Sequence, residues 1–228
     1  MRIKREVLYD ETNWILEKKM SFTDKGYEIV RNAITKELSD FCYQYLRTKR
    51  KIAQHFFKTN FIPLDSRMWG EWKDTQVLGT YSYYADTAME TLLEMIKPKM
   101  MEVTKLNLVP TYSYLRIYKT GDILERHRDR PSCEFSCTLN LGGDEWPIFL
   151  DPTGQEGNKG IKVILKPGDL LVYKGCDLEH WRDRLEGEEC CQVFLHYNDK
   201  NGELGTSNIY DKRPFLGLPA QFSSRYKK

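Results

Sequence analysis

The chain has 228 residues, 40% of them apolar and 30% charged, with 35 basic against 33 acidic side chains for a formal charge of +2. That is the make-up of a soluble globular protein, sized for one large domain rather than two. The near-balance gives no bulk reason to expect a nucleic-acid or membrane surface, and no apolar run approaches the roughly 20 residues that span a bilayer. The stretch 1–11 is charged and lacks the apolar core of a signal peptide. Six cysteines (Cys42, Cys133, Cys137, Cys176, Cys190 and Cys191) are too sparse for a disulfide scaffold. With no CxxC pair and four histidines in all, zinc is disfavoured. A reduced, cytoplasmic protein is expected.

Residues 1–25 are polar and mixed, with Val7, Leu8, Trp14, Ile15 and Leu16 available for a short edge strand and a packing anchor. Tyr27 to Val30 suits a strand, and Asn32 suits a helix N-cap. Ile34, Leu38, Phe41, Tyr45, Ile52 and Phe56 then recur at helical spacing, predicting a helix over 33–58. Its basic run, Arg47, Lys49, Arg50 and Lys51, reads as a solvated face. His55 falls on this helix as a packing residue. Residues 59–82 have no clear period and carry Pro63, Trp69, Gly70, Trp72 and Gly79. They are either a lid over a site or a connection that packs its tryptophans on the core. A second helix is predicted over 84–103, with Ala85, Met89, Leu92, Leu93, Ile96 and Val103 on its apolar face, and with Pro98 expected to kink or split it.

From Tyr112 the pattern changes to period two. Tyr112, Tyr114, Arg116 and Tyr118 share one face of a strand, and Ser113, Leu115 and Ile117 the other. Further strands are predicted at 134–141, 146–150, 161–165, 170–173, 177–181 and 190–197. Turns at Gly142-Gly143, Pro152-Thr153-Gly154, Asn158-Lys159-Gly160 and Pro167-Gly168-Asp169 separate them. Short strands with frequent turns imply a barrel or sandwich, and helices ahead of them an α+β arrangement in which the helices buttress one sheet. Residues 1–110 are then helical support and a candidate lid, 111–198 the core, and 199–228, rich in Gly and Pro, an irregular wrap.

The chemistry concentrates in the core. His127 and Asp129 form an HxD pair, which alternation places on one side of a strand end. His180 lies 53 positions further on, after a Pro167-Gly168-Asp169 turn and the apolar run Leu170-Leu171-Val172-Tyr173. Two imidazoles and a carboxylate with open positions are the ligand pattern of non-heme Fe(II) oxygenases. His196, with the parity of Gln192 and Phe194, reads as a core or hydrogen-bonding residue rather than a ligand.

Tyr118, Lys119-Thr120-Gly121-Asp122, His127-x-Asp129, the Pro167-Gly168-Asp169 turn and His180 together resemble the 2-oxoglutarate/Fe(II)-dependent dioxygenases, in their prolyl 4-hydroxylase-like branch with its phage and bacterial members. The resemblance covers about residues 110–200 and fits the N-terminal helices only loosely. It implies a double-stranded β-helix, or jelly roll. It also implies Fe(II) held by His127, Asp129 and His180, 2-oxoglutarate and O₂ as co-substrates, and ascorbate as an optional reductant. The implied reaction is hydroxylation of an unactivated C–H bond, of a peptide side chain or an amino acid, with succinate and CO₂ as co-products. Asp129 argues for hydroxylation over halogenation, because related halogenases carry a small residue there.

One departure stands out. The family usually sets a Lys or Arg on the strand after the distal histidine to hold 2-oxoglutarate. Here that region reads Cys190-Cys191-Gln192-Val193. Arg182 has the parity of His180, and its planar fork suits a carboxylate. Arg184 and Arg116 are the alternatives, and Tyr118 is placed to hydrogen-bond the co-substrate. Arg126, Arg128 and Arg130 alternate away from the HxD pair, as an anion-friendly mouth or as solvated charges. Two rival functions remain: a nucleic-acid oxidative demethylase or hydroxylase, for which the aromatic stretch 69–84 would be the binding groove, and a non-enzymatic cupin-like metal-binding barrel.

Overall fold

A computed structural model describes residues 21–63, 66–155 and 157–224. The edge strand and packing anchor expected before residue 21 lie outside the described residues. A single turn of helix, α1 (Phe22–Lys25), leads into β1 (Tyr27–Val30). Helix α2 (Lys36–Lys58) is capped by Thr35, whose hydroxyl accepts from Leu38 N at 3.3 Å. Asn32 is not the cap; it turns the chain at a φ of 51°. The inward stripe of α2 is Ser39, Cys42, Leu46 and Ala53, while Phe41 and His55 face solvent. Nor is its basic run simply solvated. Arg47 and Arg50 pair with Glu189 (3.1 and 2.7 Å), and Lys49 pairs with Asp86 (2.8 Å), which fastens the helix to the sheet.

A short strand that the sequence did not betray, β2 (Tyr81–Tyr84), precedes α3 (Thr87–Thr104). Asp86 caps α3, accepting from Ala88 N and Met89 N. Pro98 does not split this helix. It sits on the exposed side, where the carbonyl it leaves unpaired can meet water, and buried Leu92, Leu93, Ile96 and Met100 hold the helix to the sheet on both sides of it.

Eight strands then make the barrel: β3 (Leu108–Lys119), β4 (Leu124–His127), β5 (Phe135–Gly143), β6 (Ile148–Asp151), β7 (Ile161–Val163), β8 (Leu170–Lys174), β9 (Glu179–Arg182) and β10 (Glu189–Asp199). They are divided between two antiparallel sheets, one ordered β1-β8-β5-β10-β3-β2, which β1 and β2 extend at its edges, and the other β4-β9-β6-β7. This is the expected jelly roll with helices on one side. The outer face of the larger sheet packs on α2 and α3 through Leu46, Leu93, Met100, Leu115, Leu139 and Val193, all buried. The inner faces meet in two smaller clusters. One joins Leu171 and Tyr173 to Ile148 and Leu150; the other joins Tyr118, Cys190 and Phe194 to Leu124 and Trp146. The second cluster surrounds the site.

The C-terminal segment, over the described residues 199–224, packs against β3 and β10. Its Arg213 is buried and pairs with the buried Glu90 of α3 at 2.6 Å. All six cysteines are free thiols. Among the described residues no helix is long and apolar enough to cross a membrane.

Candidate metal centre

Antiparallel pairing of β4 with β9 sets His127 directly opposite His180. Asp129, two residues past β4, is held there by its own N–H, which donates to Gly175 O at 2.9 Å. Gly175 has to be a glycine. A Cβ at that position would lie 2.2 Å from Cys133 O and 2.5 Å from Asp129 Oδ2. The predicted triad is therefore brought together, its ligand atoms within 4.8 Å of one another. His180 Nε2 lies 3.5 Å from Asp129 Oδ1, and His127 Nε2 lies 3.8 Å from it.

The tautomers follow from the backbone. His127 Nδ1 is 2.7 Å from Glu125 O, and His180 Nδ1 is 3.0 Å from Leu178 O. A carbonyl only accepts, so each Nδ1 carries a proton, and the ring is turned with its Nε2 toward the carboxylate, the atom left to serve as a ligand. Burial lowers the pKa of His127, and the neighbouring His180 lowers it further, both favouring the neutral form. Burial pushes the Asp129 carboxyl up, but the imidazoles around it, His180 foremost, outweigh that and hold it below the usual carboxylate range.

Two residues behind the triad had no sequence signal as a pair. Ser136 Oγ donates to Asp129 Oδ2 at 3.0 Å and contacts His196 Nδ1 at 2.9 Å. His196 is buried, which brings its pKa down to about 4, so it is a neutral partner that steadies Ser136 and through it Asp129. This agrees with the expected hydrogen-bonding role of His196.

The candidate cations differ in their surroundings. Arg182 shares the inward parity of His180 and is 1% exposed. Its Nη1 donates to the Trp146 carbonyl, while Nε and Nη2 find no partner. Beside it the buried Tyr118 hydroxyl also makes no well-formed hydrogen bond. Burial of Arg182 lowers its pKa, and among the described residues no carboxylate lies within ion-pair distance. Arg184 is exposed and donates to Gly121 O at 3.2 Å. Arg116 lines the cleft and pairs with Asp74 at 2.5 Å. Of the flanking arginines, Arg126 is fixed to Glu179 and Asp151, Arg130 to Asp211 at 2.9 Å, and Arg128 is half-exposed at the cleft.

The connection expected over 59–82 packs its tryptophans on the core. Trp69 packs edge-on to Phe56, and Trp72 packs edge-on to Phe57 and against Tyr81, so its tryptophans serve the core. They offer no stacking platform for bases beside the triad. Further along, the same segment reaches the site, where Gln76 donates its side-chain amide to His127 Nε2 at 2.9 Å. A cleft of about 300 Å³ opens here, lined by the triad with Asp74, Gln76, Tyr114 and Arg116.

The residues present fit both implied groups. Two imidazoles and a carboxylate suit Fe(II), and a buried guanidinium with two free nitrogens and no carboxylate partner, beside a buried phenol, suits a carboxylate of 2-oxoglutarate.

No family model matches this sequence, and no curated protein matches it. Solved structures do match in fold. The Pseudomonas putida prolyl-4-hydroxylase superimposes with a TM-score of 0.54 at 15% identity, over 78% of this chain and 95% of its own. The α-ketoglutarate-dependent epimerase SnoN of nogalamycin biosynthesis gives 0.58 at 13% identity, over 82% and 83%. HygX of Streptomyces hygroscopicus, with nickel and 2-oxoglutarate bound, gives 0.53 at 12%, over 86% and 89%. The fold is thus the double-stranded β-helix found in 2-oxoglutarate/Fe(II) oxygenases.

Proposed function

We propose that this chain is an Fe(II)- and 2-oxoglutarate-dependent oxygenase that hydroxylates an unactivated C–H bond of a peptide side chain or an amino acid. One observation carries the reading. Two Nε2 atoms, each ring oriented by its Nδ1 on a backbone carbonyl, converge on one carboxylate oxygen at 3.5 and 3.8 Å, the two-imidazole, one-carboxylate donor set of an Fe(II) site. His127, Asp129 and His180 would hold the iron. When bound, that centre supplies the oxidative chemistry, with succinate and CO₂ as co-products. Arg182 and Tyr118 would orient 2-oxoglutarate by its far carboxylate, since a buried guanidinium with free donors makes a charge-assisted fork. Ser136 and His196 keep Asp129 in register, and the apolar cluster of Leu124, Trp146 and Phe194 limits water around the bound acid. Likeness to a solved enzyme with 2-oxoglutarate bound supports the co-substrate, and likeness to a prolyl hydroxylase supports a peptide or amino-acid substrate.

The test is succinate release, with Fe(II) and ascorbate, screened over peptide, amino-acid and oligonucleotide pools. Turnover with a peptide or amino-acid pool is expected, and His127→Ala or His180→Ala should abolish it together with most iron binding. Full activity of Asp129→Ala at wild-type iron content would overturn the assignment. Intact iron binding with no succinate from any pool would instead favour the non-enzymatic barrel.

A further inference from the structure

The cleft beside the triad already contains a carboxylate, and it is the protein's own. Asp74 Oδ2 accepts from Arg116 Nη2 at 2.5 Å and from the Tyr114 hydroxyl. Both donors stand on the inward side of β3, and both line the cleft with His127, Asp129 and His180. Arg116 is 3% exposed, and its Nε has no partner, so this guanidinium keeps donor capacity beyond what Asp74 uses. It is a different cation from Arg182, which stands on β9 two residues past His180 with its guanidinium over the Trp146 ring.

Asp74, by contrast, is not part of the barrel. It belongs to a stretch without regular structure, and its other oxygen serves only a local turn, accepting from Gln76 N at 2.9 Å. Gln76, two residues on, is the residue whose amide covers His127 Nε2. One displacement of this short stretch would therefore clear both a candidate metal-ligand atom and the Arg116 guanidinium. Arg128 and Arg130 are weaker candidates for the same task, the first half-exposed and the second held by Asp211 through two hydrogen bonds.

We propose that Arg116 and Tyr114 form the subsite for a carboxylate group of the substrate, and that Asp74 occupies it as a stand-in which the substrate displaces. A guanidinium and a phenol that converge on one carboxylate recognise that group by charge and by directed hydrogen bonds. The substrate class is accordingly a free carboxylic acid, such as an amino acid, or the carboxylate at the end of a peptide. An internal side chain with no nearby negative charge would not use this subsite. The inference rests on the oxygenase reading above for its statement that the bound acid is a substrate, but not for the binding itself.

The experiment uses matched probes that differ only in charge: N-acetyl-L-proline against N-acetyl-L-prolinamide, and a proline-ended decapeptide with a free against an amidated C-terminus. Binding is followed by calorimetry to the metal-free protein and to the protein loaded with Mn(II) and 2-oxoglutarate. The free acid of at least one pair should bind tenfold or more tightly than its amide. Asp74→Asn should strengthen acid binding several-fold by removing the internal competitor, and Arg116→Gln should erase the preference for acid over amide. The pair that responds tells a free acid from a chain terminus. Equal binding, or no binding, of acid and amide in both the wild type and Asp74→Asn overturns the proposal. So does a tenfold loss of 2-oxoglutarate affinity in Arg116→Gln, which would assign this arginine to the co-substrate. Failure of Mn(II) to bind at the triad would defeat the oxygenase reading alone, because the acid preference of the metal-free Asp74→Asn protein is read independently of it.

Discussion

Arg182 illustrates how a side chain that breaks the usual rules of burial marks a site. A guanidinium that is 1% exposed, with two nitrogens unpartnered, is costly in an apolar cluster and calls for an anion. Arg182→Ala should therefore raise the apparent Michaelis constant for 2-oxoglutarate by an amount equivalent to about 2–5 kcal/mol. Arg184→Ala, which touches only a surface carbonyl, should leave it near wild type. Titrating 2-oxoglutarate at saturating iron separates them, and a rise confined to Arg184→Ala would relocate the anchor. The inward burial of Arg182 was legible because alternation along one strand follows from backbone geometry alone. Ser136 was not, because its link to Asp129 depends on where an adjacent strand lies.

At the scale of elements, the Pro167-Gly168-Asp169 turn is a structural lock. Asp169, buried at 2% exposure, accepts from Arg31 Nη1 at 2.6 Å and from the backbone N–H groups of Asn32 and Lys166 at 3.0 Å each. It thereby fixes the entry to β8 against the exit from β1. Burial pushes its carboxyl up, but the Asn32 N–H and Arg31 outweigh this and lower its pKa. A carboxyl whose folded pKa is depressed stabilises the fold above its unfolded value, about 3.9, and loses that contribution as pH falls through the folded value. Asp169→Asn should thus cost about 2 kcal/mol at neutral pH. The gap from wild type in urea unfolding should close as pH drops below about 4. A gap that stayed constant from pH 7 to 3 would mean that shape, not charge, does the work. The helices teach the complementary lesson. Their existence was plain from apolar spacing, yet Phe41 points to solvent and Thr35, not Asn32, caps α2. Spacing fixes a face only to within a residue or so, and the sheet selects among the candidates.

For the whole molecule, the jelly roll and the triad were readable because each rests on a short-range pattern: period two, turn residues, HxD and a later histidine. The approach of 59–80 to the site was not. Asp74 meets Arg116 across 42 positions and Gln76 meets His127 across 51, in a stretch with no period. Contacts of that separation are set by the closed barrel, not by neighbours in the chain. The wrap over 199–224 is likewise pinned from afar, by Arg213 reaching the buried Glu90.

The pairing of His127 with His180 has one more consequence. β4 is the outermost strand of the smaller sheet, and its ladder to β9 is irregular between Leu124 and His127. An ion held by both histidines would bridge that outer strand to its neighbour and close a loop of about 50 residues, a clip on the place where the sheet opens most easily. Amide hydrogen exchange across residues 124–129 should then slow by tenfold or more when Mn(II) is added and recover with a chelator, while exchange in β5 and β10 stays put. Equal slowing in all three strands would mean that the ion tightens the whole barrel. A selective effect would give the centre a second duty, as the rivet of a sheet edge that the backbone alone holds loosely.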